Sequence, residues 1–126
     1  MNDVIKQAFQ NFMVNGVVIP VSFLNYSGSS LIYIIYMEID KDNSFSGDDE
    51  LLGYVDYYDF DIYLKSGQGN LDVIIREVKK IMKQIGFTWQ PSRDSEDMYE
   101  ADTGYFHKTL CFAIERDAED DDIISA

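Results

Sequence analysis

Cysteine, histidine, tryptophan and proline are nearly missing: among 126 residues stand one Cys, one His, one Trp and two Pro. The lone Cys111 excludes an internal disulfide and suits a reducing compartment. With a single histidine, His107, a closed zinc site would have to be completed by carboxylates, an uncommon donor set. His107 and Cys111 fall on one face of a strand about 13 Å apart, too far to exchange a proton, so a local Cys–His nucleophile is excluded. Basic residues are scarce too: 10 Lys and Arg face 23 Asp and Glu, for a net charge of −13. Nucleic-acid affinity rests on Lys and Arg displacing counterions, so DNA or RNA is not expected as a tight ligand, although proximity without adhesion is compatible. No apolar run approaches the roughly 18 residues of a membrane span, and Met1-Asn2-Asp3 does not lead through basic residues into an apolar stretch. The expectation is a cytoplasmic, unprocessed protein with no membrane partner.

What is present is ring surface and period. Nine Tyr, eight Phe and 46% apolar residues set the chain apart from a disordered acidic protein, and its length suits one domain with one core. Val4, Ile5, Ala8, Phe9, Phe12 and Met13 recur at helical spacing, with Asn15-Gly16 read as the stop. Val17 to Leu24 is a strand stretch in which Pro20 cannot donate to a ladder, which predicts an edge or a bulge. From Leu31 to Ile39 both alternating sets are apolar, so both faces want cover. Asp40 to Glu50 reads as a polar acidic loop. Leu51 to Lys65 follows as a strand with Tyr58, Phe60, Ile62 and Leu64 on one face and Asp59, Asp61, Tyr63 and Lys65 on the other. Leu71, Ile74, Ile75, Val78, Ile81, Met82 and Ile85 form one apolar helical stripe, capped by Asn70 and stopped by Gly86. Phe87 to Trp89 enters an irregular hairpin arm, Pro91 to Glu96 is polar, and a last strand carries Phe106, Leu110, Phe112 and Ile114 inward, interrupted by Lys108. Residues 1–116 form the predicted domain, and 117–126 a mobile acidic tail.

The predicted class is α+β: a largely antiparallel or mixed sheet of about four to five strands, in the order α-β-β-β-α-β-β, with two helices on one face. On that layout Ile32, Ile34 and Tyr36 sit on the uncovered face beside Tyr57 and Tyr63, an apolar patch larger than a soluble monomer exposes. Either a partner subunit or the chain's own hairpin or first helix would have to cover it. These five residues, with Asp42, Phe45, Asp48 and Asp49 of the acidic loop, are the candidate interface.

The chemical motifs fail at their diagnostic positions. Asp40-x-Asp42-x-Ser44 opens like a calcium loop, but Phe45 stands at the turn glycine and Leu51 at the bidentate Glu, leaving a solvated acidic loop. Gly67-Gln68-Gly69 precedes a helix, yet Asp72 would put a negative charge where a dinucleotide phosphate belongs. Asp56, Asp59 and Asp61 lack a sequence sign of a pocket, and Ser27-Gly28-Ser29-Ser30 is not a nucleophile elbow. The sequence predicts no catalytic, cofactor or metal residue and no enzyme.

The layout of an N-terminal helix, strands through Tyr63, the helix from Leu71 to Ile85, and a final strand introduced by Tyr99-Glu100-x-Asp102-Thr103-Gly104-Tyr105-x-x-Lys108 resembles the tail terminators, or tail-completion proteins, of long-tailed bacteriophages. The resemblance covers residues 1–116 in order and length. It implies a homo-oligomeric ring, a hexamer, that caps the tail tube, meets the tube protein and the head connector protein, and needs no cofactor or catalytic residue. It implies a place in the virion tail or neck after assembly in the bacterial cytoplasm, with DNA only passing through an acidic lumen. The acidic tail and the lack of a motif marking the tube-facing surface depart from the pattern and leave the ring's orientation open. The alternative from another class is an acidic inhibitor, an immunity or nucleic-acid-mimic protein that blocks a basic site on its partner.

Overall fold

The computed structural model describes residues 2–47 and 50–117, with side chains described outside 40–52 and 117. The chain runs α1 (Asn2–Ala8), β1 (Met13–Val14), β2 (Val17–Val18), β3 (Val21–Phe23), β4 (Ile32–Gly47), β5 (Glu50–Lys65), α2 (Leu71–Gln84), β6 (Thr88–Trp89), a 3-10 turn (Pro91–Arg93), β7 (Met98–Glu100) and β8 (Tyr105–Asp117). The α+β class stands, with a mixed sheet of six strands in the order β3-β4-β5-β8-β6, β7 also pairing with β8, and β1-β2 as a separate hairpin. The parallel element is β3 against β4; β4, β5 and β8 are antiparallel neighbours.

The first helix is shorter than its apolar period predicts. It ends at Ala8, and Asn11 takes a left-handed φ of 57°. Asn15 and Gly16 both have positive φ, 51° and 79°, and join Met13-Val14 to Val17-Val18 as a two-residue hairpin. Asn-Gly is the preferred pair for such a turn, whose twist matches that of its strands. The same dipeptide read as a helix stop was therefore a hairpin signal. Pro20 does divide the following stretch, leaving β3 as a three-residue edge strand.

The acidic loop is corrected as well. The backbone of 40–47 continues β4, and that of 50–52 already belongs to β5, with Asn43 opposite Val55 and Phe45 opposite Gly53. Register shifts between Glu38 and Asp40, Asp40 and Asn43, and Phe45 and Ser46 absorb residues that do not fit the ladder. A polar sequence can form strand when its backbone is paired on one side, because the ladder asks for N–H and C=O groups rather than apolar side chains.

Helix α2 follows its sequence signals. Asn70 Oδ1 accepts from the N–H groups of Asp72 and Val73 at 2.9 and 3.4 Å. Gly86 with φ 98° ends the helix, and Phe87 N–H returns to Met82 O at 2.9 Å. Ile74, Val78 and Met82 are buried and share one core with Ile5, Phe9 and Phe12 from the N-terminal segment. Both helices thus cover one sheet face, whose centre is Phe60, fully buried. Phe60 packs against Phe9, Tyr36 and Phe112 at 5.4, 5.4 and 5.5 Å between ring centroids. Truncating such a residue to Ala costs about 3–5 kcal/mol, since cavity and lost burial add.

Candidate functional site

Strand register decides which residues share the uncovered face. Ile32, Ile34 and Tyr36 stand opposite Leu64, Ile62 and Phe60 and are 5%, 0% and 3% exposed. They belong to the core under the helices, so their proposed place on a bare interface is overturned. The apolar set of β4 that faces the core is the one expected on the back, because pairing with Phe60 and Ile62 places it there.

The back face is a grid of other residues. Across β4, β5 and β8 the rows are Tyr33, Tyr63 and His107; Ile35, Asp61 and Thr109; and Met37, Asp59 and Cys111. Tyr57 lies on the same side as Asp59 by strand alternation, beside Ala113. Tyr57 and Tyr63 are therefore on the back face as expected, but without Ile32, Ile34 and Tyr36. Asp42 and Phe45 lie along the outer part of β4, and Asp48 and Asp49 lie outside the described residues, as does most of the predicted 117–126 tail.

One end of this face is aromatic. Tyr26 stacks on Tyr33 at 4.7 Å, Tyr33 on Tyr63 at 4.8 Å, and Tyr63 on His107 at 4.3 Å between centroids. Tyr105 meets Tyr33 edge-on at 5.8 Å. Burial raises the phenol pKa of both Tyr33 and Tyr63 above its ordinary value, so these two rings are uncharged at neutral pH.

The middle is acidic. Asp59 and Asp61 project side by side from the central strand, and both are half-buried. Burial first, and the Asp61 charge second, push the Asp59 carboxyl above the ordinary carboxylate range. Thr109 donates its hydroxyl to Asp61 Oδ1 at 2.6 Å, and His107 Nε2 lies 3.6 Å from the same oxygen. That nitrogen is buried and makes no hydrogen bond in this structure.

The far side is closed by the segment after β6. Gln90 N–H donates to Cys111 O at 2.8 Å, and Ser95 N–H to Thr109 O at 3.0 Å. Asp94 Oδ1 accepts from Cys111 N–H at 2.9 Å while its Oδ2 accepts from the Trp89 indole at 2.7 Å. Ser95 Oγ accepts from Thr109 N–H at 2.8 Å. Side chains of a polar loop thus complete the ladder of β8 between β6 and β7, which satisfies an edge that would otherwise be open. Arg93 reaches over the sheet, its Cζ 3.8 Å from the Tyr57 ring centroid. Its charge acts on both Asp59 and Cys111. Burial chiefly, with Asp59 beside it, raises the Cys111 thiol to about 11.

His107 and Cys111 do share a face, separated by Thr109, and the buried, protonated thiol is a poor nucleophile. Among the described residues no cluster of three or more His, Cys, Asp or Glu side chains has a geometry that could hold a metal ion. No described helix is long and apolar enough to cross a membrane. Sequence reasoning passed over Asp59 and Asp61 because charged residues alternating with apolar ones look like an ordinary solvated strand face. The clue was that Tyr57 and Tyr63 bracket them at the same parity. No protein-family model matches the chain, and a search of curated proteins also finds no match.

Proposed function

We propose that this protein is a structural assembly subunit that associates with copies of itself, as the resemblance to phage tail terminators implies. The observation that carries the reading is the outer edge of β4. Strand β3 pairs with β4 only as far as Tyr36, yet β4 runs on to Gly47, and among the described residues no strand flanks that extension on its outer side. An unpaired strand edge is a template for adding a strand from another chain. Ile39, 41% exposed, stands at the start of this edge. Contacts between copies then run through strand edges and the β4–β5 arm, not through the apolar face first expected. The net charge of −13 suits a ring whose lumen DNA slides past without adhering.

The acidic-inhibitor alternative draws on one observation, the adjacent Asp59 and Asp61 on a sheet face where Ile35, Met37, Tyr57 and Tyr63 flank them. Native mass spectrometry separates the two readings. A subunit of a ring gives closed multiples of the 14.5 kDa chain, a hexamer on the resemblance, and Ile39→Lys reduces them by placing a charge at the edge. A chain that stays monomeric at every concentration and does not bind tail tubes would sink the assembly reading.

A further inference from the structure

The back of the sheet holds an arrangement that the β4 edge does not use. Its two central carboxylates, Asp59 and Asp61, are flanked on β4 by Met37 and Ile35 and bracketed along β5 by Tyr57 and Tyr63. Carboxylates set among rings and aliphatic groups are partly stripped of water, and two of them in adjacent same-face positions repel each other. Within the fold, Asp61 accepts the neutral Thr109 hydroxyl, while His107 Nε2 stands 3.6 Å away without a hydrogen bond. The chain itself displays the complementary chemistry one row away, where the Arg93 Cζ stands 3.8 Å from the Tyr57 ring centroid and its charge acts on Asp59.

We propose that this face docks a protein partner that presents arginine or lysine side chains, with Asp59 and Asp61 receiving the cations and the Tyr26–Tyr33–Tyr63 stack forming the apolar shoulder. Charge selects the occupant. A second copy brought face to face would set Asp59 and Asp61 against the same carboxylates, on a chain already at −13, and a phosphate backbone would meet the same repulsion. A cationic side chain instead gains the carboxylates by charge-assisted hydrogen bonds and the tyrosine rings by cation–π attraction. Aromatic residues around a partly desolvated charge are also what interface hot spots are made of. The inference goes beyond ring formation and does not depend on it, because the β4 edge and this face are different surfaces.

The test uses an acetylated, amidated peptide of alternating arginine and threonine, with the glutamate counterpart as control, added to the full-length isotope-labelled chain. The arginine peptide is expected to shift the amide signals of Tyr33, Asp59, Asp61, Tyr63 and Thr109. The double variant Asp59→Asn/Asp61→Asn should weaken binding by about fivefold or more, against less than about twofold for the charge-matched helix variant Asp72→Asn/Glu77→Gln. Equal weakening by both pairs would mean diffuse attraction to an acidic surface and would overturn the proposal. So would shifts confined to other parts of the chain, or an absence of binding at low salt. If the strand variant does not fold, the wild-type shift map decides by itself.

Discussion

Arg116 and Asp56 form a two-pronged ion pair, the guanidinium of Arg116 donating from Nε to Asp56 Oδ2 and from a terminal nitrogen to Oδ1 at 3.2 Å. The pair joins β8 to β5 on the face covered elsewhere by the helices, with side chains only 14% and 5% exposed. Asp56 is the one buried charged residue among those described.

Removing one member leaves the other charge stranded. Arg116→Met is therefore expected to lower unfolding free energy by about 3–5 kcal/mol, while Asp56→Leu/Arg116→Met recovers most of the loss, because the desolvation cost disappears with the pair. Urea unfolding of the three variants measures both effects. A single variant within experimental error of the wild type would show that the pair is solvated in solution.

Asp59 sets a pH dependence of the opposite sense to an ordinary salt-bridged carboxylate. Its folded pKa is raised above 3.8 by burial and by Asp61, with the Cys111 hydrogen bond and then Arg93 only partly compensating. A raised carboxylate pKa means that the folded state binds protons more tightly than the unfolded chain. Its contribution to stability therefore falls as pH climbs from 3.8 through the raised value. Replacing Asp59 with Asn should flatten that part of the stability profile and raise stability at neutral pH, as read from thermal melts across pH. Reduced neutral-pH stability in a folded variant would show that the Arg93 and Cys111 contacts outweigh the burial penalty.

Cys111 should be inert while the fold is intact. The side chain is fully buried, and a thiol pKa of about 11 leaves little thiolate at neutral pH. Alkylation by iodoacetamide is expected to run at least about tenfold slower than for a free thiol and to recover that rate in denaturant. The same raised pKa costs stability as pH rises from 9.0 to about 11, where the unfolded thiol ionises first. Rapid alkylation under native conditions would place the thiol in solvent.

Tyr63 lies nearly parallel to His107, with a 13° angle between ring planes. A double-mutant cycle built from Tyr63→Leu and His107→Leu should return a coupling of about 1 kcal/mol, the size of a stacked pair beyond simple burial. Additive single effects would mean that the rings only share a neighbourhood.

Local signals carried much of this fold. Asn70, the apolar stripe from Leu71 to Ile85 and Gly86 specified α2 at both ends because cap, period and stop all act within a few residues. The alternation of Tyr58, Phe60, Ile62 and Leu64 against Asp59, Asp61 and Tyr63 likewise put the right residues on opposite faces of β5. Asn15-Gly16 was legible as a turn, but whether it ended a helix or joined two strands depended on Met13 finding Val18 as its cross-strand partner.

The interface assignment needed more than local pattern. With both faces of Leu31–Ile39 apolar, period alone could not say whether Ile34 or Ile35 met the helices, since shifting a register by one residue exchanges the faces. Only the pairing of Ile34 with Ile62 sent Ile32, Ile34 and Tyr36 into the core and left Tyr33, Ile35 and Met37 on the back. The closure of the β8 edge by Asp94 and Ser95 was equally out of reach, because those contacts span 14 to 17 residues of chain. By itself the sequence determined composition, charge, the main helix and the two-sidedness of its central strand, all set by short-range chemistry. Tertiary structure decided which side each strand turned outward, because that choice is made by partners distant along the chain.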